Sequence, residues 1–165
     1  DLVEHPQRSI TEGCDMGRIH EQPTHVAQWI HRNMTASSIV EARRQNFAQY
    51  VEQLAGASGA HVLQATIPEG GAPYVVPLWV DGLDRANKIY ASMRAARLPV
   101  FRWDQVWPQT PLIDGDAGQL WRTQVLQILC HQTLDAKDVA YVASATRKLL
   151  EETRQDGGVS PGDLI

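Results

Sequence analysis

Five residues in the C-terminal half are placed to touch a ligand. Arg102, Trp103 and Trp107 follow one apolar run, and His131 and Gln132 follow another. An arginine beside tryptophans suits an anionic or sugar-bearing ligand, through bidentate charge-assisted hydrogen bonds and ring stacking. His131-Gln132 interrupts the stretch LQILCHQTLDAKDVAYV where an apolar segment stops and a well-marked helix starts. Side chains at strand ends and in loops on a rigid sheet are where binding sites are built. Each has a structural alternative: Arg102 pairs with a surface carboxylate, Trp103 packs in the core, and His131 caps the helix that begins near Asp135.

Other chemistries have less support. His20, His25 and His31 lie five and six residues apart with Cys14 nearby. A tetrahedral zinc site needs converging ligands, and no CxxC or HxxxH pair enforces that here. There is no GxSxG elbow, and Cys14 sits in a turn-rich arm without an evident base. EGGAP at 69–73 is a glycine turn between strands, not a glycine-rich loop running into a helix. Lys88, Lys137 and Lys148 fall on polar faces of helical patterns, whereas a Schiff-base lysine needs a desolvated pocket. Neither a catalytic nor a metal-ligating residue is assigned.

The elements that position these groups follow from pattern and punctuation. The 165 residues, 43% apolar and 21% charged, have the profile of a globular domain. A net charge of −4 without a basic block offers no nucleic-acid or anionic-membrane surface. YVVPLWV is the longest apolar run and is far too short to span a bilayer. Two cysteines do not make a disulfide framework, and Cys130 closes a buried-looking strand, so a reducing cytoplasm fits best. The chain opens on Asp1, with neither a signal peptide nor an initiator methionine, which is compatible with a piece of a longer protein.

Residues 1–35 read as an arm and a short helix. In THVAQWIHRNM (24–34), Val26, Trp29, Ile30 and Met34 share a face and Thr24 can cap. SSIVEARRQNFAQYVEQLAG carries Val40, Phe47, Tyr50, Val51 and Leu54 at helical spacing, with Ser37 or Ser38 as cap and Gly56 as stop. Strands are expected at 61–67, 73–81, 100–104 and 125–130, with Pro77 forcing a bulge or a local edge in the second. Helices are expected at 85–97, capped by Asp84, at 116–123, and after Asp135, where Asp138 completes a capping-box-like pattern. The tail 155–165 reads as flexible. The fold class is therefore α+β, a small, mainly antiparallel sheet with helices on one face.

Four stretches in this order resemble one family. EARRQNFAQYVEQLAG looks like its linking helix, with the double arginine, asparagine and aromatic. PYVVPLWVDGLDRANKIYASMRAARLPV is similar to its strand, acidic turn, helix and following strand. FRWDQVW stands where a strand gives way to a substrate-facing loop. LQILCHQTLDAKDVAYVASATRKLL matches an apolar strand, a His-containing joint and an acid-capped terminal helix. Together, over residues 38–150, they resemble the C-terminal part of the DegT/DnrJ/EryC1/StrS (sugar aminotransferase-like) group of fold-type-I pyridoxal-phosphate enzymes; residues 1–35 match poorly.

The resemblance implies amino transfer from an amino donor to an acceptor, often a nucleotide-linked keto sugar, in a homodimer with pyridoxal phosphate between subunits. It assigns the Schiff-base lysine and the aspartate that holds the pyridine nitrogen to a large N-terminal domain lying outside these residues. Residues 36–154 would then be the small domain, inactive alone, cut by proteolysis or by design or translated separately, and 1–35 a remnant of the interdomain or large-domain region. The joint at His131 and Gln132 would face the cleft between the domains, and Arg102 would meet a substrate carboxylate or phosphate. The competing expectation is a non-catalytic α+β domain for ligand binding or protein interaction. A metalloprotein using the N-terminal histidines is a third.

Overall fold

The structure, a computed structural model, describes residues 17, 20–103, 106, 110–111, 113–115 and 117–155. The chain divides into two units, residues 1–35 and 36–165. In the first, helix α1 (His25–Asn33) is capped as expected, the Ala27 N–H donating to Thr24 Oγ1. Its apolar stripe is solvent-facing; Trp29 is 65% exposed.

The second unit is built from α2 (Ala36–Leu54), β1 (Ala60–Val62), β2 (Val75–Val80), α3 (Leu83–Ala95), β3 (Val100–Phe101), α4 (Gly118–Gln124), β4 (Val125–Leu129) and α5 (Ala136–Gln155). The four strands lie in the order β1-β2-β4-β3, every neighbouring pair antiparallel. β2 and β3 thus run parallel on either side of β4 with α3 connecting them, a split β-α-β unit. The α+β class expected from the pattern is the one observed.

Alternation along the strands sorts the two faces. Val76, Leu78, Val80, Val100, Leu126 and Ile128 are buried beneath the helices. α2 contributes Phe47, Tyr50 and Leu54, α3 contributes Ala86, Ile89 and Met93, and α5 contributes Val139, Val142, Ala143 and Leu150. α2 packs on both the sheet and α5. The opposite face carries Val75, Pro77, Trp79, Val125 and Leu129, all half-buried, with Phe101 and His61 exposed. Trp121 of α4 reaches this face and packs edge-on against Trp79 at 5.7 Å between centroids.

Several boundaries differ from the sequence reading. Strand 61–67 shrinks to β1 and, among the described residues, strand 100–104 shrinks to β3, because only three and two residues find ladder partners; Asp104 lies outside the described residues. α2 begins at Ala36, so Ser37 and Ser38 sit inside its first turn and do not cap it. α3 begins at Leu83 with Gly82 at the cap position, which leaves Asp84 in the first turn, where its charge still meets the positive end of the helix dipole. The capping box after β4 is real: Asp135 Oδ1 accepts from the Lys137 and Asp138 N–H groups, and the Asp135 N–H donates to Asp138 Oδ2. Cys14 and the tail beyond Gln155 lie outside the described residues.

Pro77 resolves as a local edge. Its carbonyl accepts from Leu63 N–H at 2.9 Å, just past the end of β1, so its nitrogen faces that side and not β4. Opposite β4 it forms the non-hydrogen-bonded pair with Gln127, and the register passes through unbroken. The missing N–H therefore costs no bond to β4, and on the β1 side it leaves the Leu63 pair with one bond in place of two. Gly59 is required more strictly: φ is +62°, and a Cβ would collide with the Arg85 guanidinium, which donates to the carbonyls of Ser58, Gly59 and Leu150.

Among the described residues no helix is long and apolar enough to cross a membrane. Leu126 is fully buried at the centre of the sheet. Leu126→Ala is expected to cost about 2–5 kcal/mol in urea unfolding, whereas Lys148→Ala, which removes an exposed pair with Glu152, is expected to stay within about 0.5 kcal/mol.

Candidate functional site

The five residues singled out from sequence do not form one cluster. β3 and β4 are antiparallel, with Phe101 opposite Gln127, so Arg102 lies towards the start of β4. His131 and Gln132 follow its end. At about 3.3 Å per residue, the length of the strand keeps the two groups apart.

At the start of β4, Arg102 bends back over the helical layer. Its guanidinium stacks on the Tyr90 ring at 4.5 Å, and Nη1 donates to Asn87 Oδ1 (2.7 Å) and to the Thr123 carbonyl (3.2 Å). Trp103 is 75% exposed, so it is not core. Trp107 lies outside the described residues.

At the end of β4 the joint is built from three sides. The Cys130 N–H donates to the Tyr74 carbonyl, bringing the start of β2 alongside. The turn closes with Leu134 N–H on the His131 carbonyl. The buried Asn46 of α2 then donates both amide hydrogens, to the carbonyls of His131 (2.9 Å) and Leu134 (3.1 Å). Gln49, one turn on, donates to the Ala136 carbonyl. His131 therefore does not cap α5; Asp135 does.

The side chains at the joint are specifically held. The Thr133 N–H donates to His131 Nδ1 (3.3 Å), and the Thr133 hydroxyl lies 2.8 Å from the same atom. In the neutral ring the proton consequently resides on Nε2. Gln132 Oε1 accepts from Arg43 Nε at 2.7 Å, and the Arg43 guanidinium lies 5.5 Å from the centroid of the Tyr74 ring. Arg44 faces the preceding loop, donating to the carbonyls of Pro68 and Gly71. Sequence reasoning missed Arg43, Tyr74 and Asn46. The signal lay in the polar residues of EARRQN recurring on the face turned toward the joint, against the grain of the apolar stripe.

Cys130 is buried beside this cluster. Burial pushes its thiol from 9.0 up to about 11, against the opposing pull of the Arg43 cation and its own backbone N–H. It is a protonated packing group at neutral pH and not a nucleophile. The Tyr50 hydroxyl is buried without a hydrogen-bond partner, and burial also raises its pKa well beyond the usual phenol range. Lys88, Lys137 and Lys148 are all exposed. None offers the desolvated amine that would hold an aldehyde coenzyme, so this chain's described residues do not fit pyridoxal phosphate as its covalent anchor. Among the described residues no three His, Cys, Asp or Glu side chains group as metal ligands.

No family model matches the sequence, and no curated protein does. Solved structures do resemble the fold. The aminotransferase TlmJ of Streptoalloteichus hindustanus matches with a TM-score of 0.59 at 18% identity, over 72% of this chain and 33% of its own. DesV of S. venezuelae, solved with a ketimine intermediate, matches at 0.58 and 18%, over 70% and 33%. A Streptococcus pneumoniae protein described as a sugar aminotransferase, Spr1654, in its PMP form, matches at 0.57 and 17%, over 72% and 32%. The chain thus spans about a third of the length of the structures it resembles. At these identities the likeness is one of fold.

Two outcomes are expected. Asn46→Leu removes both amide donors, leaving the His131 carbonyl only its bond from the Leu134 N–H and the Leu134 carbonyl without the Asn46 bond. That costs about 1–3 kcal/mol and speeds hydrogen exchange at the Leu134 amide; an unchanged exchange rate would show that Asn46 does not hold the turn. Between about pH 9 and pH 11 the folded Cys130 keeps its proton while the unfolded chain releases its own, so stability falls as pH rises through that window. In urea melts the onset of that fall near pH 9 should vanish in Cys130→Ala.

Proposed function

We propose that residues 36–154 are the smaller lobe of a pyridoxal-phosphate-dependent enzyme of the sugar aminotransferase kind. The observation that carries this reading is the overlay itself. Some seven tenths of the chain follows the path of about a third of each aminotransferase structure. The exposure of all three described lysines supports it, because a coenzyme-anchoring amine would then belong to the larger lobe.

In this reading the lobe shapes a cleft and the coenzyme is held outside it. The open sheet face, with Trp79, Trp121 and Phe101, is the surface that meets the larger N-terminal lobe; an apolar patch of this kind asks for a partner. Exposed apolar residues lie there and on α1, as well as at Tyr74 and Tyr141, while the outward positions of α2, Glu41, Gln45 and Glu52, are polar. His131 and Gln132 line the cleft at one end of β4, and Arg102 and Trp103 border it at the other. The substrates are an amino donor and a nucleotide-linked keto sugar, the active form is a homodimer, and the cytoplasm is the compartment that suits the free, buried Cys130.

The test uses the chain alone and the polypeptide containing it. The isolated 165 residues are expected to stay colourless with added pyridoxal phosphate and to yield no borohydride-trapped adduct. The longer polypeptide is expected to bind the coenzyme and transfer an amino group, with the donor KM raised by Arg102→Ala or His131→Ala. Turnover of an amino acid by the isolated chain would sink the proposal, as would an upstream coding sequence with no coenzyme-binding lobe.

A further inference from the structure

We propose that Arg43, with Gln132 and Tyr74, forms a seat for a small oxyanion, a carboxylate or phosphate, where the sheet ends and the His131 joint begins. The proposal stands on this chain's own side chains and holds whether or not the protein uses pyridoxal phosphate.

The guanidinium carries five N–H donors in a rigid plane. Arg43 spends one of them, Nε–H, on Gln132 Oε1 at 2.7 Å, and rests against the Tyr74 ring. Those two contacts fix the plane and leave the edge carrying Nη1 and Nη2 unspent: among the described residues no carbonyl and no carboxylate accepts from it. Four other arginines are used differently, while Arg122 bonds through Nε to the Gly118 carbonyl one turn back in its own helix. Arg44, Arg85, Arg102 and Arg147 each place a terminal nitrogen on an oxygen of the chain, tying loops and helix ends together. Arg43 is half-buried like them, yet its outer fork is held ready and empty-handed.

The identity of residue 132 sharpens the point. A glutamate there would accept the same bond and neutralise the cation. Glutamine accepts the bond and leaves the charge in place, so the seat keeps a net positive field next to a half-buried surface where that field is weakly screened. A planar fork with two parallel donors matches the two oxygens of a carboxylate or a phosphate edge, and a cation whose plane lies over an aromatic ring accepts such a partner along its edge. Asn46 keeps the joint, and with it Gln132, at a fixed distance from α2, the helix that carries Arg43. The seat is therefore rigid on both sides.

The experiment is an NMR titration of the intact chain, reading the Arg43 side-chain Nε–Hε resonance and the Tyr74 ring. Inorganic phosphate and acetate are added in separate series, with chloride at matched ionic strength as control. Saturable shifts with phosphate or acetate but not chloride are expected, and the series that saturates identifies the ligand as phosphate or carboxylate. Arg43→Lys keeps the charge and loses the fork, so affinity should fall roughly tenfold or more. Gln132→Glu, with its dispersed spectrum retained, should lose the saturable response by occupying the cation internally. Absence of saturation in both series would overturn the proposal, as would undiminished binding in the folded Gln132→Glu protein.

Discussion

One buried amide organises the end of the molecule where the candidate site lies. Asn46 turns both its hydrogens onto the carbonyls of His131 and Leu134, the two that bracket the turn between β4 and α5. Backbone oxygens in a reversing segment have no strand partner, and leaving them dry beneath a helix would be costly. With the asparagine in place, a helix from the start of the domain and a turn near its end become one rigid unit. The rest follows from that attachment. Arg43 precedes Asn46 by less than one helical turn, so it is brought to Gln132, and Tyr74 is brought beneath it by the pairing of β2 with β4. Arg44 faces the loop that leads into β2. The string EARRQNFAQY can be read as a device with two functions: polar residues that grip two loops, and aromatic residues that fill the core.

How much of this was legible depends on whether a signal is local. Helix positions and the α+β class could be read because apolar spacing and caps are local features, as at Thr24 and at Asp135 with Asp138. Strand lengths could not, because a strand extends only as far as a partner lies beside it. Residues 64–67 and 102–103 have strand-like composition but lie outside the strands. Pro77 was correctly flagged as awkward, and the remedy, an imino nitrogen facing the end of a short neighbour, was one of the two anticipated.

The site illustrates the same limit. His131 and Gln132 announce themselves because polar residues at an abrupt end of an apolar run are conspicuous. Their partners lie 89 and 85 residues away in sequence, as for Arg43 with Gln132 and Asn46 with His131. On a helix such side chains look like an ordinary solvated face. Arg102 drew attention for its neighbours Trp103 and Trp107, yet its stacking partner, Tyr90, comes from the preceding helix. Antiparallel pairing then sets Arg102 and His131 at opposite ends of one strand, a separation that proximity in the linear text gives no means to foresee.

The stunted margins of the sheet have a consequence of their own. β1 offers three residues and β3 two, and Pro77 removes an amide hydrogen beside one of those margins. A sheet with one greasy, half-bare surface would be a natural template for runaway strand-on-strand polymerisation if its borders were long and flat. Here the borders give an incoming strand too few rungs to grip. The lobe can thus keep its bare surface for a face-on partner while refusing to grow sideways, a division of labour that would let such a unit be synthesised, stored or exchanged among larger proteins without seeding fibres.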